Sequence, residues 1–265
     1  MTTAQPGQLL LVPNTLDLGT DCEVPLDAVL PRAVIERAAS LGHWVCENAK
    51  TTRALLKRVN ALVPLAQPLQ QIQITELPRP LKGGGQGGGQ GGGKPMAPPD
   101  LRPLLAPALA GHDLGLLSEA GLPAVADPGA ALVQAAHALG LVVVPMSGPT
   151  SLLLALAASG LNGQSFAFVG YLPVEPAARA ARIRELETLS RRAGQTQIAI
   201  ETPYRNDALL AALVQHLQPT THLAVASGLT LPEARCETRT VAAWRQTRVA
   251  ALGGRLPAVF SWLAG

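Results

Sequence analysis

Aromatic residues are scarce, at 3% of 265 residues, with three Trp, two Tyr and three Phe. The core must then rest on Leu, Val, Ile and Ala, which suits parallel strands covered by helices on both faces. Cysteine is scarcer in effect, because Cys22, Cys46 and Cys236 are scattered, odd in number and without metal-ligand spacing. Neither a disulfide framework nor a zinc site is indicated, and a reducing cytoplasm is the simplest home. The five histidines, His43, His112, His137, His216 and His222, have no paired spacing either, so no metal is expected. No stretch approaches the ~20 apolar residues that cross a bilayer, and residues 1–20 lack a basic start followed by a long apolar run. A soluble protein with no membrane partner is expected. Charge is low too: 15% of residues, with a formal +3, permit an RNA partner without demanding one.

What is present is a hydrophobic fraction of 48%, enough to bury a sizeable core in one large domain or two smaller ones. Apolar strand patterns at Leu9 to Pro13, His43 to Glu47, Gln70 to Thr75, Leu114 to Leu117 and Leu141 to Pro145 alternate with helical patterns near 31–40, 51–62, 101–110 and 130–139. That alternation predicts an α/β fold with a parallel, doubly wound sheet. A helix at 150–159 leads into a second α/β unit, with strands near 165–170, 196–201, 222–227 and 256–262 and helices at 176–193 and 206–217. The expected domains are 1–149 and 150–265. Lys82 to Pro99, containing GGGQGGGQGGG, reads as a flexible insert in the first domain, spanning on the order of 20 Å by random-coil scaling. A phosphate-cradling loop is disfavoured there, because no GK[ST] ending and no immediate helix follow the glycines.

The most informative stretch is Leu116 to Gly129, LLSEAGLPAVADPG, which joins a buried-strand pattern to two Gly/Pro turns and then an alanine-rich helix. Small side chains and restricted or positive φ let a ligand approach the main chain, and in open α/β sheets ligands bind outside the carboxyl ends of strands. The plainer alternative is an ordinary connection, with Asp127 as N-cap and Pro128 at the first helical position. Three other predicted strands also end in small or polar residues: Ser147-Gly148-Pro149-Thr150-Ser151, Gly170-Tyr171-Leu172-Pro173 and Glu201-Thr202-Pro203-Tyr204-Arg205. A hydrolytic role for Ser147 or Ser151 lacks both a G-x-S-x-G elbow and a placed His.

In this order, with the opening strand ending at Pro13 and CENAKTT at 46–52, the motifs resemble the tetrapyrrole (corrin/porphyrin) methylase superfamily. The similarity is strongest to the branch that methylates a ribose 2′-oxygen of 16S ribosomal RNA. The resemblance implies two α/β domains, an N-terminal parallel sheet and a C-terminal mixed sheet, with S-adenosylmethionine in the cleft between them. It also implies a homodimer and, for this branch, ribosomal RNA or the small ribosomal subunit as partner. By the family's positions the donor is expected on Pro13, Ser118, Glu119, Gly121, Pro123, Val125, Ala126, Asp127 and the Ser147 to Ser151 loop, with Tyr171, Leu172 and Ala226 on the second side.

Methyl transfer to an alcohol gains from a hydrogen-bond acceptor or base, and Glu47, Glu119 and Glu201 all follow predicted strands. Glu47 matches the glutamate of an AEDTR-like motif in which Asn48 replaces the aspartate and Lys50 the arginine. Glu119 takes the aspartate position of SDAG. The plainer alternative is that these acids cap helices or pair with Lys50 and Arg205. For the acceptor, Arg179 and Arg182, with Arg184, Arg191 and Arg192 on the same helix and Arg205 at the next strand end, form the richest cationic cluster. A solvated face partnered by Glu185 and Glu187 is the alternative. No aromatic residues interleave with these arginines, which weighs against base stacking.

Two departures bear on the acceptor. The branch opens with VPTPIGN where this chain has VPNTLDL, and its RELTK-like sequence is replaced by Ser227-Gly228-Leu229-Thr230-Leu231. Three functions therefore stay open: an RNA methyltransferase, a methylase of a tetrapyrrole or other small molecule, and a catalytically silent paralogue that binds the donor or RNA.

Overall fold

The structure is a computed structural model that describes residues 5–17, 19–78, 99–246 and 256–265. The glycine-rich stretch lies outside these residues, apart from Pro99. The chain divides into two compact units, Met1–Leu18 with Val24–Pro149, and Gly19–Glu23 with Thr150–Gly265.

In the first unit, β1 (Leu9–Leu11), β2 (His43–Cys46), β3 (Gln73–Glu76), β4 (Leu114–Leu117) and β5 (Val143–Pro145) form one sheet in the order β3-β2-β4-β1-β5. Every pairing is parallel. The helices among the described residues are α1 (Leu26–Val29), α2 (Arg32–Ser40), α3 (Ala49–Leu62), α4 (Ala106–Leu109) and α5 (Ala130–Ala138). Central β4, LGLL, is buried throughout, as a strand covered on both faces must be. One core layer joins Leu10, Ile35, Trp44, Leu55 and Leu56. The other joins Leu9, Leu105, Leu116, Leu132 and Leu141. Gly115 is bare because the Trp44 ring lies across it: a Cβ there would sit 2.6 Å from Trp44 Cε3.

Local chemistry accounts for the shifted boundaries. Helix α3 starts at Ala49 because the Asn48 carboxamide oxygen accepts from the N–H groups of Lys50 at 2.9 Å and Thr51 at 3.4 Å. A 3₁₀ turn at Leu69–Gln71 delays β3. The helix expected over 101–110 breaks into a 3₁₀ turn, Arg102–Leu105, and the single turn of α4, because Pro103 and Pro107 supply no N–H to a continuous ladder.

The second unit contains α6 (Ser151–Ser159), β6 (Phe166–Gly170), α7 (Pro176–Ala193), β7 (Thr196–Glu201), α8 (Asn206–His216), β8 (His222–Ser227), β9 (Arg235–Thr240), α9 (Val241–Gln246) and β10 (Ala258–Leu263). Its sheet runs β6-β7-β10-β8-β9; the β6–β7 pair is parallel and the others are antiparallel. This is the mixed sheet that the resemblance implied. Phe260 and Trp262 of central β10 are fully buried among Ile183, Leu209, Leu213 and Leu223. A second cluster packs Leu152 and Leu156 of α6 on Ile198, Ala226 and Val259. Strand β9 and helix α9 were not anticipated, because RCETRT has no alternating apolar residues. As an edge strand, β9 carries a polar pattern that blunts further pairing. No helix among the described residues is long and apolar enough to cross a membrane.

Candidate active site

The carboxyl edge of the first sheet is closed by two interlocked loops. The chain leaving β1 passes through Pro13 and Asn14, and the chain leaving β4 through Ser118 to Gly129. Asn14 joins them: its side-chain amide donates to the carbonyls of Ser118 at 3.2 Å and Glu119 at 2.9 Å, and its backbone N–H donates to Gly121 O at 2.9 Å. With only 6% of its surface exposed, this buried amide is satisfied wholly by the loop and by Thr15, whose N–H it accepts at 2.9 Å. The Ser118 hydroxyl donates to Ala120 O at 3.1 Å and closes the first turn.

The following segment is conformationally unusual. Gly121 and Gly129 have φ of +66° and +132°, and so do two residues with a Cβ, Ala124 and Ala126, both at +65°. Non-glycine residues in the left-handed region carry a cost, and such strain concentrates at ligand loops. Across from it, Gly148 lies flat against the Pro13 ring, where a Cβ would come within 2.3 Å of Pro13 Cβ.

Three carboxylates gather on this loop. Glu47, just past β2, donates its N–H to Leu117 O at 3.1 Å and accepts at Oε2 from the Glu119 N–H at 3.2 Å. Burial raises the Glu47 pKa; the hydrogen bond from Glu119 opposes that rise, and the Glu119 charge adds to it. Asp127 is pushed up to about 6, first by burial and then by the Glu47 charge, with the Ser118 hydroxyl pulling against them and Glu119 adding a smaller push. Asp127 is not an N-cap, contrary to the plainer alternative: α5 starts at Ala130, and Gly129, at the cap, offers no side chain.

The opening loop has a second anchor. Asp17 pairs with Arg58 of α3 at 3.1 Å while accepting from the Val24 N–H at 2.9 Å. Burial opposes the charged form of Asp17. The bonds from Thr15, Val24 and Arg58 outweigh it and hold the carboxyl below its ordinary range. Sequence reasoning missed Asn14, Asp17 and Arg58 as a set, although Asn14 and Asp17 both lie in the VPNTLDL stretch after β1.

Elsewhere the expected residues divide. Pro13, Ser118, Gly121 and Pro123 are buried in the interlocked loops, while Val125, Ala126 and Ser147 are exposed at their surface. Pro149 lies in the first unit, and Thr150 and Ser151 open α6 in the second. Tyr171 is 55% exposed. Leu172 and Ala226, by contrast, send their side chains into the core, and Ala226 is paired on both sides in the sheet. Their side chains are thereby taken from the ligand surface. Glu201 belongs to the second unit and is already engaged: its Oε1 accepts from Arg205 at 2.7 Å and from the Thr202 N–H at 2.8 Å. This is the plainer alternative weighed for Glu201, pairing with Arg205, in an ion pair whose carboxylate is 2% exposed. On α7, Arg182 pairs with Glu185 at 2.7 Å, Arg191 donates to Gly265 O at 3.1 Å, and Arg179 is half-buried.

A parallel sheet with a strained, interlocked loop and clustered carboxylates at its carboxyl edge makes this an α/β protein whose candidate ligand site lies at the strand ends. The chain belongs to the tetrapyrrole (corrin/porphyrin) methylases, whose family model matches residues 100–243. Its fold is that of the methyltransferase CobJ, with a TM-score of 0.54 at 15% identity over 98% of this chain and 95% of that one. A conserved hypothetical protein from Aeropyrum pernix K1 gives the same TM-score of 0.54, at 17% identity over 98% of this chain and 85% of that one. In sequence it is 46% identical over 78 residues to Ribosomal RNA small subunit methyltransferase I of Xylella fastidiosa, covering 29% of each chain. The protein of that name from Pseudomonas aeruginosa is 42% identical over 95 residues, 36% of this chain and 32% of its own. The match thus spans about a third of the length of these curated relatives, 29% and 32%.

Proposed function

We propose that this protein is an S-adenosylmethionine-dependent methyltransferase acting on ribosomal RNA, at a ribose 2′-oxygen. The observation that carries the reading is the loop from Ser118 to Gly129, strained and pinned by Asn14, with Glu47, Glu119 and Asp127 gathered on it. The names of the relatives support the acceptor.

The residues present fit such a donor. Its cationic, amino and hydroxyl groups find carboxylates and backbone amides at 118–127, and its apolar parts find Pro13 and Val125. When bound, the sulfonium supplies an already reactive methyl, so the protein's task is alignment and exclusion of water. On this reading Gly121, Pro123, Ala126 and the Ser147 to Ser151 loop contribute main chain. The 2′-hydroxyl needs a proton acceptor, and Asp127, raised to about 6 beside Glu47, is basic enough to accept and still ionised near neutral pH. We assign it that role, with burial first and then the Glu47 and Glu119 charges raising its pKa. The domains are taken as 1–149 and 150–265, the assembly as a homodimer and the compartment as the cytoplasm.

The test is transfer of isotopically labelled methyl from S-adenosylmethionine to small ribosomal subunits and total RNA from cells lacking this gene, with nucleoside analysis. A labelled 2′-O-methyl nucleoside is expected. Cofactor binding without labelled RNA overturns the acceptor assignment and directs the search to small molecules.

A further inference from the structure

The cation-rich helix α7, the obvious place for RNA, spends much of its charge internally. Besides the Arg182–Glu185 pair and the Arg191 bond, an Arg184 Nη lies 3.4 Å from the His216 ring nitrogen, and Glu175 caps the helix start. Helix α3 differs. Its sequence, AKTTRALLKRVNAL, holds four cations and no acid. Arg58 turns inward to Asp17, while Lys50, Arg53 and Lys57 are exposed on the outer face with Ala54, Asn60 and Ala61. Among the described residues no carboxylate is bonded to any of these three. Arg53 reaches back to Ala49 O at 3.4 Å. The nearest acid in the sheet, Glu76, is committed to the Ala49 N–H at 2.8 Å.

Position gives the stripe its meaning. Lys50 comes three residues after Glu47, whose carboxylate holds the Glu119 N–H of the strained loop. From Lys50 to Lys57 the helix rises about 10 Å, the reach of roughly three nucleotides of a stacked strand. We infer that the outer face of α3 is the RNA docking surface of the first unit, with Lys50, Arg53 and Lys57 on successive phosphates of a strand whose target ribose lies at the Glu47–Asp127 loop. Phosphates provide the anions that the helix itself lacks, and the scarcity of aromatics fits backbone rather than base contact. This inference rests on the RNA reading above.

The test compares the protein with two triple variants, Lys50→Gln/Arg53→Gln/Lys57→Gln on α3 and Arg184→Gln/Arg191→Gln/Arg192→Gln on α7. Binding to small-subunit RNA is measured across a salt series, together with S-adenosylhomocysteine affinity and methyl-transfer kinetics. For the α3 variant we expect unchanged affinity for S-adenosylhomocysteine and RNA affinity weaker by roughly tens of fold near 0.15 M salt. The slope of log K against log salt should be shallower by about 2, three contacts at about 0.7 each. KM for RNA should rise while kcat holds, and the α7 variant should change less. RNA affinity and salt slope retained in the α3 variant overturn the docking surface alone. A wild-type protein that binds S-adenosylhomocysteine but no RNA overturns the RNA reading and this surface with it.

Discussion

At the scale of single residues, the half-buried carboxyl of Asp127 governs the chemistry of the loop. Its folded pKa, about 6, lies above its ordinary value of 3.8, so the folded state holds the proton more tightly than the unfolded chain does. Stability linked to this group is therefore fully present below about pH 4 and is lost as pH rises through about 6. Asp127→Asn, which cannot ionise, should melt above the native protein at pH 7.5, and the gap should close as pH falls from 6 to 4. Thermal melts at several pH values check this; a gap independent of pH would overturn the assignment. The same variant should lose methyl transfer at every pH, whereas native kcat/KM should rise through about pH 6 as the acceptor ionises. That Asp127 follows a buried strand was legible in the sequence. Its closeness to Glu47, 80 positions earlier, was not, because it depends on β2 and β4 lying side by side.

At the scale of elements, the loops after β1, β4 and β5 act as one body because small residues let them touch. Gly148 is the clearest case: any Cβ meets the rigid Pro13 ring at 2.3 and 2.4 Å, and a proline ring has no rotamer with which to move away. Gly148→Ala should cost about 1–3 kcal/mol in urea unfolding. It should also weaken S-adenosylhomocysteine binding in titration calorimetry, since the displaced ring borders the strained loop. Unchanged stability and affinity would show that the loops are not rigidly joined. Strands with apolar repeats, such as LGLL at β4, were readable from pattern. Strand β9 was not, since RCETRT carries no apolar period and becomes a strand only because β8 offers it an edge. Prolines at 103 and 107 are visible in the sequence, but their splitting of one helix into two short turns is decided by the fold.

At the scale of the whole molecule, a ligand that binds the folded protein alone shifts its unfolding equilibrium. S-adenosylhomocysteine at about 100 times its Kd should add about 2.7 kcal/mol and raise the melting midpoint by roughly 5–10 °C. Differential scanning fluorimetry checks this, with adenosine as control. No shift at saturating ligand would remove the donor from the proposal.

The sequence by itself determined the layered α/β plan, the parallel first sheet and the order of loops, because hydrophobic period and Gly/Pro punctuation are local properties of the chain. Only the tertiary structure decided which charges meet. It committed Glu201 to Arg205 and Asp17 to Arg58, turned Leu172 and Ala226 into core, and left Lys50, Arg53 and Lys57 facing water. Pairing and burial are set by which strands lie beside one another, and the energy of a charge depends on the neighbours that folding brings to it.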